Sequence, residues 1–153
     1  MGGRHMESYQ NILCTTDFSE YCNLAIERAM ELAERHRSTL TLLHVIDYFP
    51  EAIPNDLIGP EDQDPRDFLE RRAGENLHRI AESLGLKDIR LENRFSSHSA
   101  KHEIARFAGE IGADLIVLAS HGRHGITALL GSTTSGVIHT APCDVLVVRA
   151  RSG

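Results

Sequence analysis

Apolar residues recur along the chain in two alternating patterns: short continuous runs, and longer stretches with helical spacing. Continuous runs are typical of strands covered on both faces of a parallel sheet. Apolar residues spaced three and four apart are typical of helices that bury one face. The runs predict five strands, at Asn11–Thr15, Leu40–Ile46, near Ile89–Phe95, Asp114–Ala119 and Asp144–Arg149.

Four helical stretches separate these strands. The first follows a capping-box pattern, Asp17 with Glu20 three residues later. The second ends at Gly85, and the third follows a possible N-cap in Ser96–Ser99 and ends by Gly112. The fourth spans about Thr133–His139 before Ala141-Pro142. The apolar stripes of the first three helices are, in order, Cys22, Ile26, Ala29, Met30, Ala33; Leu69, Ala73, Leu77, Ile80, Leu84; and Ile104, Ala108, Ile111.

The alternation of strands and helices predicts an α/β fold. We expect a single doubly wound domain over residues 7–150, with a five-stranded parallel sheet covered by helices on both faces. In such a sheet, ligands bind beyond the carboxyl ends of the strands, where the strand order reverses. An order of 3-2-1-4-5 places that crevice between strands one and four. Its walls would be residues 15–17 and 119–122.

The segment after the fourth strand, SHGRHGITALLGSTTSG, carries the clearest candidate chemistry. Gly122 and Gly125 let backbone amides approach a ligand closely, although Gly125 is more simply a turn residue. Gly131-Ser132-Thr133 stands at a helix start, where unpaired amides and a partial positive charge attract anions. Together they predict a phosphate cradle. The segment after strand one, TTDFSE, has no glycine, and the chain has no GxxxxGK[ST], which excludes dinucleotide loops and P-loops.

Composition narrows the function further. The chain has 153 residues and a formal net charge of −6, which argues against broad binding of nucleic acid or anionic membranes. No apolar run approaches the roughly 20 residues of a membrane helix. Three cysteines without metal-like spacing indicate a reducing, cytoplasmic setting. Residues 1–6, MGGRHM, read as a cloning remnant, and residues 48–67 form a long proline-rich loop.

Catalytic and metal signatures are weak. His121 and His124 are three apart but lack further ligands at zinc spacing, and His44 reads as a satisfied core histidine. No GxSxG, paired carboxylate or nucleophile with its base is evident, so the residues alone predict no particular enzyme activity. Asp17 stays open between an N-cap and a ligand-binding residue.

The chain resembles universal stress proteins of the UspA type. The matching segments are ILCTTDFSE near the start, LLHVID at 42–47 and residues 120–149, and the resemblance covers nearly all of residues 8–150. It implies strand order 3-2-1-4-5, a cytoplasmic stress-response role and ATP (or AMP or ADP) as ligand, with Mg²⁺ or Mn²⁺ carried by the phosphates. In that scheme Asp17 faces the adenine, the Val45 backbone meets the adenine edge and Ala119 approaches the ribose. The phosphates are bound by Gly122, Gly131, Ser132 and Thr133. The other candidate site residues are Thr16, His121 and Arg123.

Three positions depart from the family pattern. Ala119 replaces a glycine and adds a methyl group near the ribose, and eight residues instead of nine separate Gly122 from Gly131. The glycine and proline usual before helix three are missing from SSHSAK. A nucleotide-independent interaction protein and a slow ATP hydrolase therefore stand as alternatives to an ATP-binding protein that modulates protein interactions.

The last strand predicts self-association. Within residues 144–149, the four residues Val145–Val148 are apolar on both faces, and such a strand at a sheet edge templates pairing with another chain. A two-fold homodimer would satisfy that edge, whereas the alternative is that the C-terminal tail covers it.

Overall fold

Strands and helices alternate along residues 8–47, 64–96, 98–122 and 130–149, which the computed structural model describes. No helix in these ranges is long and apolar enough to cross a membrane. The predicted remnant 1–6, residues 48–63 of the predicted loop, and Arg123, His124 and Gly125 lie outside the described residues. The elements are β1 (Asn11–Thr15), α1 (Tyr21–His36), β2 (Thr39–Asp47), α2 (Pro65–Ser83), β3 (Ile89–Ser96), α3 (Ala100–Ile111), β4 (Leu115–Ala119), α4 (Ser132–Thr140) and β5 (Asp144–Val148).

The five strands form one parallel sheet in the order β3-β2-β1-β4-β5, which confirms the predicted doubly wound fold. β1 lies at the centre, where Ile12 aligns with Leu40 of β2 on one side and with Leu115 of β4 on the other. The chain winds away from β1 towards β3 and then crosses back to β4. The reversal of strand order therefore falls between β1 and β4, as expected.

Two apolar layers cover the sheet. Alternate strand residues such as Ile12 and Cys14 pack with α1 on one face, whereas Leu13 packs on the other face with Phe107 of α3 and Val137 of α4. Both sets are almost completely buried. Because successive side chains of a strand point to opposite faces, burial on both faces requires apolar residues at consecutive positions. This explains the continuous runs in the sequence.

The beginnings of two helices differ from the prediction. The capping box is wrong, because α1 begins at Tyr21 after Glu20, which makes no side-chain cap. The Asp17 carboxylate instead accepts a hydrogen bond from the Ser19 amide within its own turn. The predicted loop 48–67 is too long at its end, because Asp64 caps the Arg66 amide and Pro65 starts α2, a favoured first helical residue.

At the amino ends of the strands, Asp114 holds β1 and β4 in register. Its carboxylate accepts hydrogen bonds from the amides of Gln10 (2.7 Å) and Asn11 (3.0 Å). The Asn11 side chain also donates to the Ile111 carbonyl at the end of α3. These contacts align the starts of the two central strands, and so the carboxyl ends of both strands come out side by side.

Alanine substitutions at two helical glycines should change the free energy of unfolding in opposite directions. A Cβ at Gly109 of α3 meets no atom, whereas one at Gly136 of α4 collides with the side-chain stem of Lys101, including its Cβ at 2.9 Å. Alanine favours helix over glycine, so Gly109→Ala should raise the free energy of unfolding by about 0.5 kcal/mol. Gly136→Ala should lower it by roughly 1–3 kcal/mol through overpacking of α3 against α4. Urea unfolding of both variants checks the pair, and equal stabilisation by both would contradict the close helix contact.

Candidate functional site

A cleft of about 650 Å³ opens at the carboxyl ends of β1, β2 and β4, between the first turns of α3 and α4. This volume lies within the usual range for small-molecule sites. All the predicted site residues in the described ranges line it, namely Thr16, Asp17, Val45, Ala119, His121, Gly122, Gly131, Ser132 and Thr133. The fold therefore gathers three distant sequence segments at one place.

The tip of β1 turns sharply at the edge of the cleft. Phe18 has a φ of +69°, which is rare for a bulky residue and costs conformational energy. The turn is held by the Thr16 hydroxyl, which accepts a hydrogen bond from the Phe18 amide at 3.0 Å, and by the Phe18 ring, which packs 4.1 Å from the ring of His44. This conformation delivers the Asp17 side chain to the cleft.

Asp17 is oriented by the start of α1. Its Oδ1 accepts hydrogen bonds from the Ser19 amide (2.9 Å) and the Cys22 thiol (3.2 Å). A Cβ at Gly122 would collide with Asp17 Oδ2. A side chain at residue 122 would therefore displace the Asp17 carboxylate from its hydrogen bonds to Ser19 and Cys22. This contact adds a role in positioning Asp17 to the phosphate role expected for Gly122.

β2 extends beyond the end of β1. The Leu43 carbonyl accepts the Thr16 amide at 2.9 Å, which is the last backbone contact between the two strands. Backbone groups of alternate strand residues point to the same side, so those of Val45 point into the space beyond β1. His44 is hydrogen-bonded as expected, through its Nδ1 to the Thr16 carbonyl at 2.8 Å. It also lines the cleft, which the sequence did not indicate.

The start of α4 offers amide donors to the cleft. Gly131 is the N-cap and no side chain caps the helix. The Gly131 amide is already used, because it donates to the Ser120 carbonyl at 3.0 Å. The amides of Ser132 and Thr133 have no acceptor within their own helix, since first-turn amides lack one. Of the three residues predicted to bind phosphate here, Ser132 and Thr133 therefore keep an available amide, and the amide of Thr134 in the same first turn also lacks a helical acceptor.

Ala119 is held from both sides. Its carbonyl accepts the Thr134 hydroxyl at 2.7 Å, which fixes α4 to the end of β4. Its side chain is nearly buried and packs in the apolar layer beneath α1. The methyl group that distinguishes this chain from the glycine pattern therefore packs largely within the core.

Sequence reasoning missed the wall formed by the beginning of α3. His98, Ser99, Ala100 and Lys101 line the cleft, as does Asp47 at the end of β2. The sequence indicated the segment SSHSAK as a possible cap and as a departure from the family pattern, yet Ser99 makes no side-chain cap and its hydroxyl bonds instead to His102. The signal that could have found this wall is topological, because α3 must start beside the end of β3 and cross towards β4. No group of three or more potential metal ligands occurs among the described residues.

The environment of Cys22 makes its thiol a weak nucleophile. Burial, and after it the negative charge of Asp17, raises the pKa of the Cys22 thiol from 9.0 to about 11. Burial also raises the pKa of Cys14, and more weakly that of Cys143. Thiolate is the nucleophile in alkylation, so Cys22 is a hydrogen-bond donor here and a poor reactant.

Alkylation tests this environment. At pH 8, iodoacetamide should modify Cys22 about a hundredfold more slowly in the folded protein than in the urea-unfolded chain. A thiol with a pKa of about 11 instead of 9.0 has roughly one hundredth as much thiolate at this pH. Peptide mass spectrometry follows each cysteine, and half-buried Cys143 serves as the internal comparison. Equal rates for Cys22 in folded and unfolded protein would contradict the buried environment of its thiol.

Comparison with known proteins finds relatives over nearly the whole chain. The sequence model of the universal stress protein family matches residues 8–149. Universal stress protein A homolog 1 of Coxiella burnetii is 32% identical over 140 residues, covering 92% of this chain and 96% of that protein. UspA from Lactobacillus plantarum has a TM-score of 0.73 at 29% identity, covering 92% of this chain and 98% of its own. A universal stress protein solved in complex with cAMP has a TM-score of 0.62 at 26% identity, covering 94% and 99%.

Proposed function

This chain belongs to the universal stress protein family, and on that premise we propose that its cleft binds an adenine nucleotide, ATP in the first place and AMP or ADP in the same position. The observation that carries the proposal is the uncapped start of α4, which opens on the cleft opposite Asp17 and Val45. An uncapped helix start in a cleft of this size suits a phosphate group. The related protein in complex with cAMP supports the adenine part.

Each wall of the cleft has a proposed role. Asp17 accepts a hydrogen bond from the adenine amino group, and the Val45 backbone meets the adenine edge. Ala119 lies beside the ribose. The amides of Ser132 and Thr133 bind the phosphates, beside the side-chain-free Gly122. Mg²⁺ or Mn²⁺ would be held chiefly by phosphate oxygens, as is usual for nucleotide-bound Mg²⁺.

We further propose that the protein acts in the cytoplasm as a stress-response protein whose bound nucleotide modulates its interactions with other proteins. The site supports binding more directly than catalysis. The Asp17 carboxylate accepts hydrogen bonds from Ser19 and Cys22 through Oδ1, and in this scheme its other oxygen faces the adenine, so neither oxygen is left to activate a water molecule. Self-association through β5 fits the same role, because it would present two clefts on one particle.

A proline substitution tests the amide donors. Proline is favoured at the first helical position, and Gly131 has a ψ of 152°, which suits a residue before proline. Ser132→Pro should therefore keep α4 while removing one amide from the cleft. Since a hydrogen bond to a charged group is worth about 1.5–3 kcal/mol, ATP should bind roughly tenfold or more weakly.

Calorimetric titration with ATP and Mg²⁺ measures this effect. Ser132→Ala is the matched control, because it removes only the hydroxyl and keeps the amide. Wild-type protein that gives no binding signal with ATP, ADP or AMP would refute the nucleotide proposal. Binding by Ser132→Pro as tight as by Ser132→Ala would refute the role of the amide.

A substitution at the outer edge of β5 tests the proposed dimer. The Val148 carbonyl accepts the Ser120 amide, so Val148 points its backbone groups towards β4. The backbone groups of Val147 then point away from the sheet, because successive residues alternate. Val147→Pro removes an outward amide and spares the ladder to β4. Light scattering should give twice the chain mass for the wild type and the chain mass for Val147→Pro, whereas a monomeric wild type would refute the dimer.

A further inference from the structure

The side chain of Lys101 is a positive charge that the proposed nucleotide contacts do not use. Lys101 lies in the first turn of α3, is half-buried and lines the cleft. Within the described residues it makes no ion pair or hydrogen bond. The nearest acid on its own helix turn, Glu103, is paired with Arg106 at 2.9 Å. The charge of Lys101 is therefore available to a ligand in the cleft.

Gly136 fixes the course of this side chain. The Cβ and Cγ atoms of Lys101 lie 2.9 and 3.0 Å from where a Cβ of Gly136 would be. The stem thus runs across α4, one turn beyond Ser132 and Thr133. Long basic side chains commonly pack their methylene stem on the protein and keep the charged end in water. Because Lys101 also lines the cleft, its ammonium group is within reach of a ligand bound at the start of α4.

The charge balance of the cleft calls for such a group. Its described walls carry two carboxylates, Asp17 and Asp47, and Lys101 is the sole lysine or arginine among them. A monophosphate can be held by the amides of α4 alone. A triphosphate places further charged oxygens beyond the reach of those amides, in a site that already holds two carboxylates, and a lysine there can supply a charge-assisted contact to them.

From this arrangement we infer that Lys101 contacts the phosphates beyond the first and makes the cleft select nucleoside di- and triphosphates over monophosphates. The inference rests on the proposed function and names the ligand class of the same site. Lys101 is a specificity-determining residue in this account, whereas Ser132 and Thr133 serve all the adenine nucleotides alike.

A substitution that keeps the stem and removes the charge tests the inference. Lys101→Met retains the packing over Gly136, and Lys101→Arg retains the charge. Titrations with ATP and with AMP at low ionic strength compare both variants with the wild type, and thermal unfolding checks their folding. We expect Lys101→Met to lower the affinity for ATP about tenfold or more, as for loss of a charge-assisted contact. The affinity for AMP should change less than about twofold. Lys101→Arg should stay within about threefold of the wild type for ATP.

Two outcomes overturn the inference: unchanged ATP affinity in Lys101→Met, or equal losses for ATP and AMP. A parallel titration with inorganic tripolyphosphate separates this result from failure of the nucleotide proposal. If the wild type binds no adenine nucleotide but binds tripolyphosphate, and Lys101→Met weakens that binding about tenfold, the role of Lys101 stands and the adenine assignment falls. If the wild type binds neither ligand, both fall.

Discussion

The side-by-side parallel alignment of β1 and β4 is the constraint on which the site depends. Asp114 fixes the two strands at their amino ends, so that their carboxyl ends emerge together at the centre of the sheet. There the Asp17 carboxylate and Gly122 come so close that a side chain at residue 122 would displace the carboxylate. The starts of α3 and α4 then open on the same gap, and the donors of one helix face the acceptors of one strand tip.

The chemistry of the cleft follows from what the fold leaves unsatisfied. Most polar groups around it are engaged: the Gly131 amide with Ser120, the Thr134 hydroxyl with Ala119, and His44 with Thr16. Among the residues that the structure describes, the first-turn amides of α4 and the ammonium group of Lys101 have no partner. Both are positive in character, so the cleft is organised for an anionic ligand even though the chain as a whole carries a net charge of −6.

The fold was predictable from local patterns, because burial on both faces imposes continuous apolar runs and helices leave a regular stripe. The nine predicted site residues within the described ranges meet in the cleft because the topology fixes where strands end. Local patterns could not predict the features of the site that depend on contacts between residues far apart in the sequence. The positive φ of Phe18 is held by packing on His44, the Gly131 amide is consumed by Ser120, and Lys101 reaches the cleft only because Gly136 lets α3 approach α4.

The central claim is that first-turn amides of α4 bind the phosphates of an adenine nucleotide. The most direct measurement is an amide chemical-shift titration of the isotope-labelled protein with ATP and Mg²⁺, because it reports on each backbone N–H separately. The account predicts the largest shifts at Ser132 and Thr133, with the Gly131 amide less affected because Ser120 already holds it. Saturating ATP that leaves the Ser132 and Thr133 amides unmoved would contradict the account.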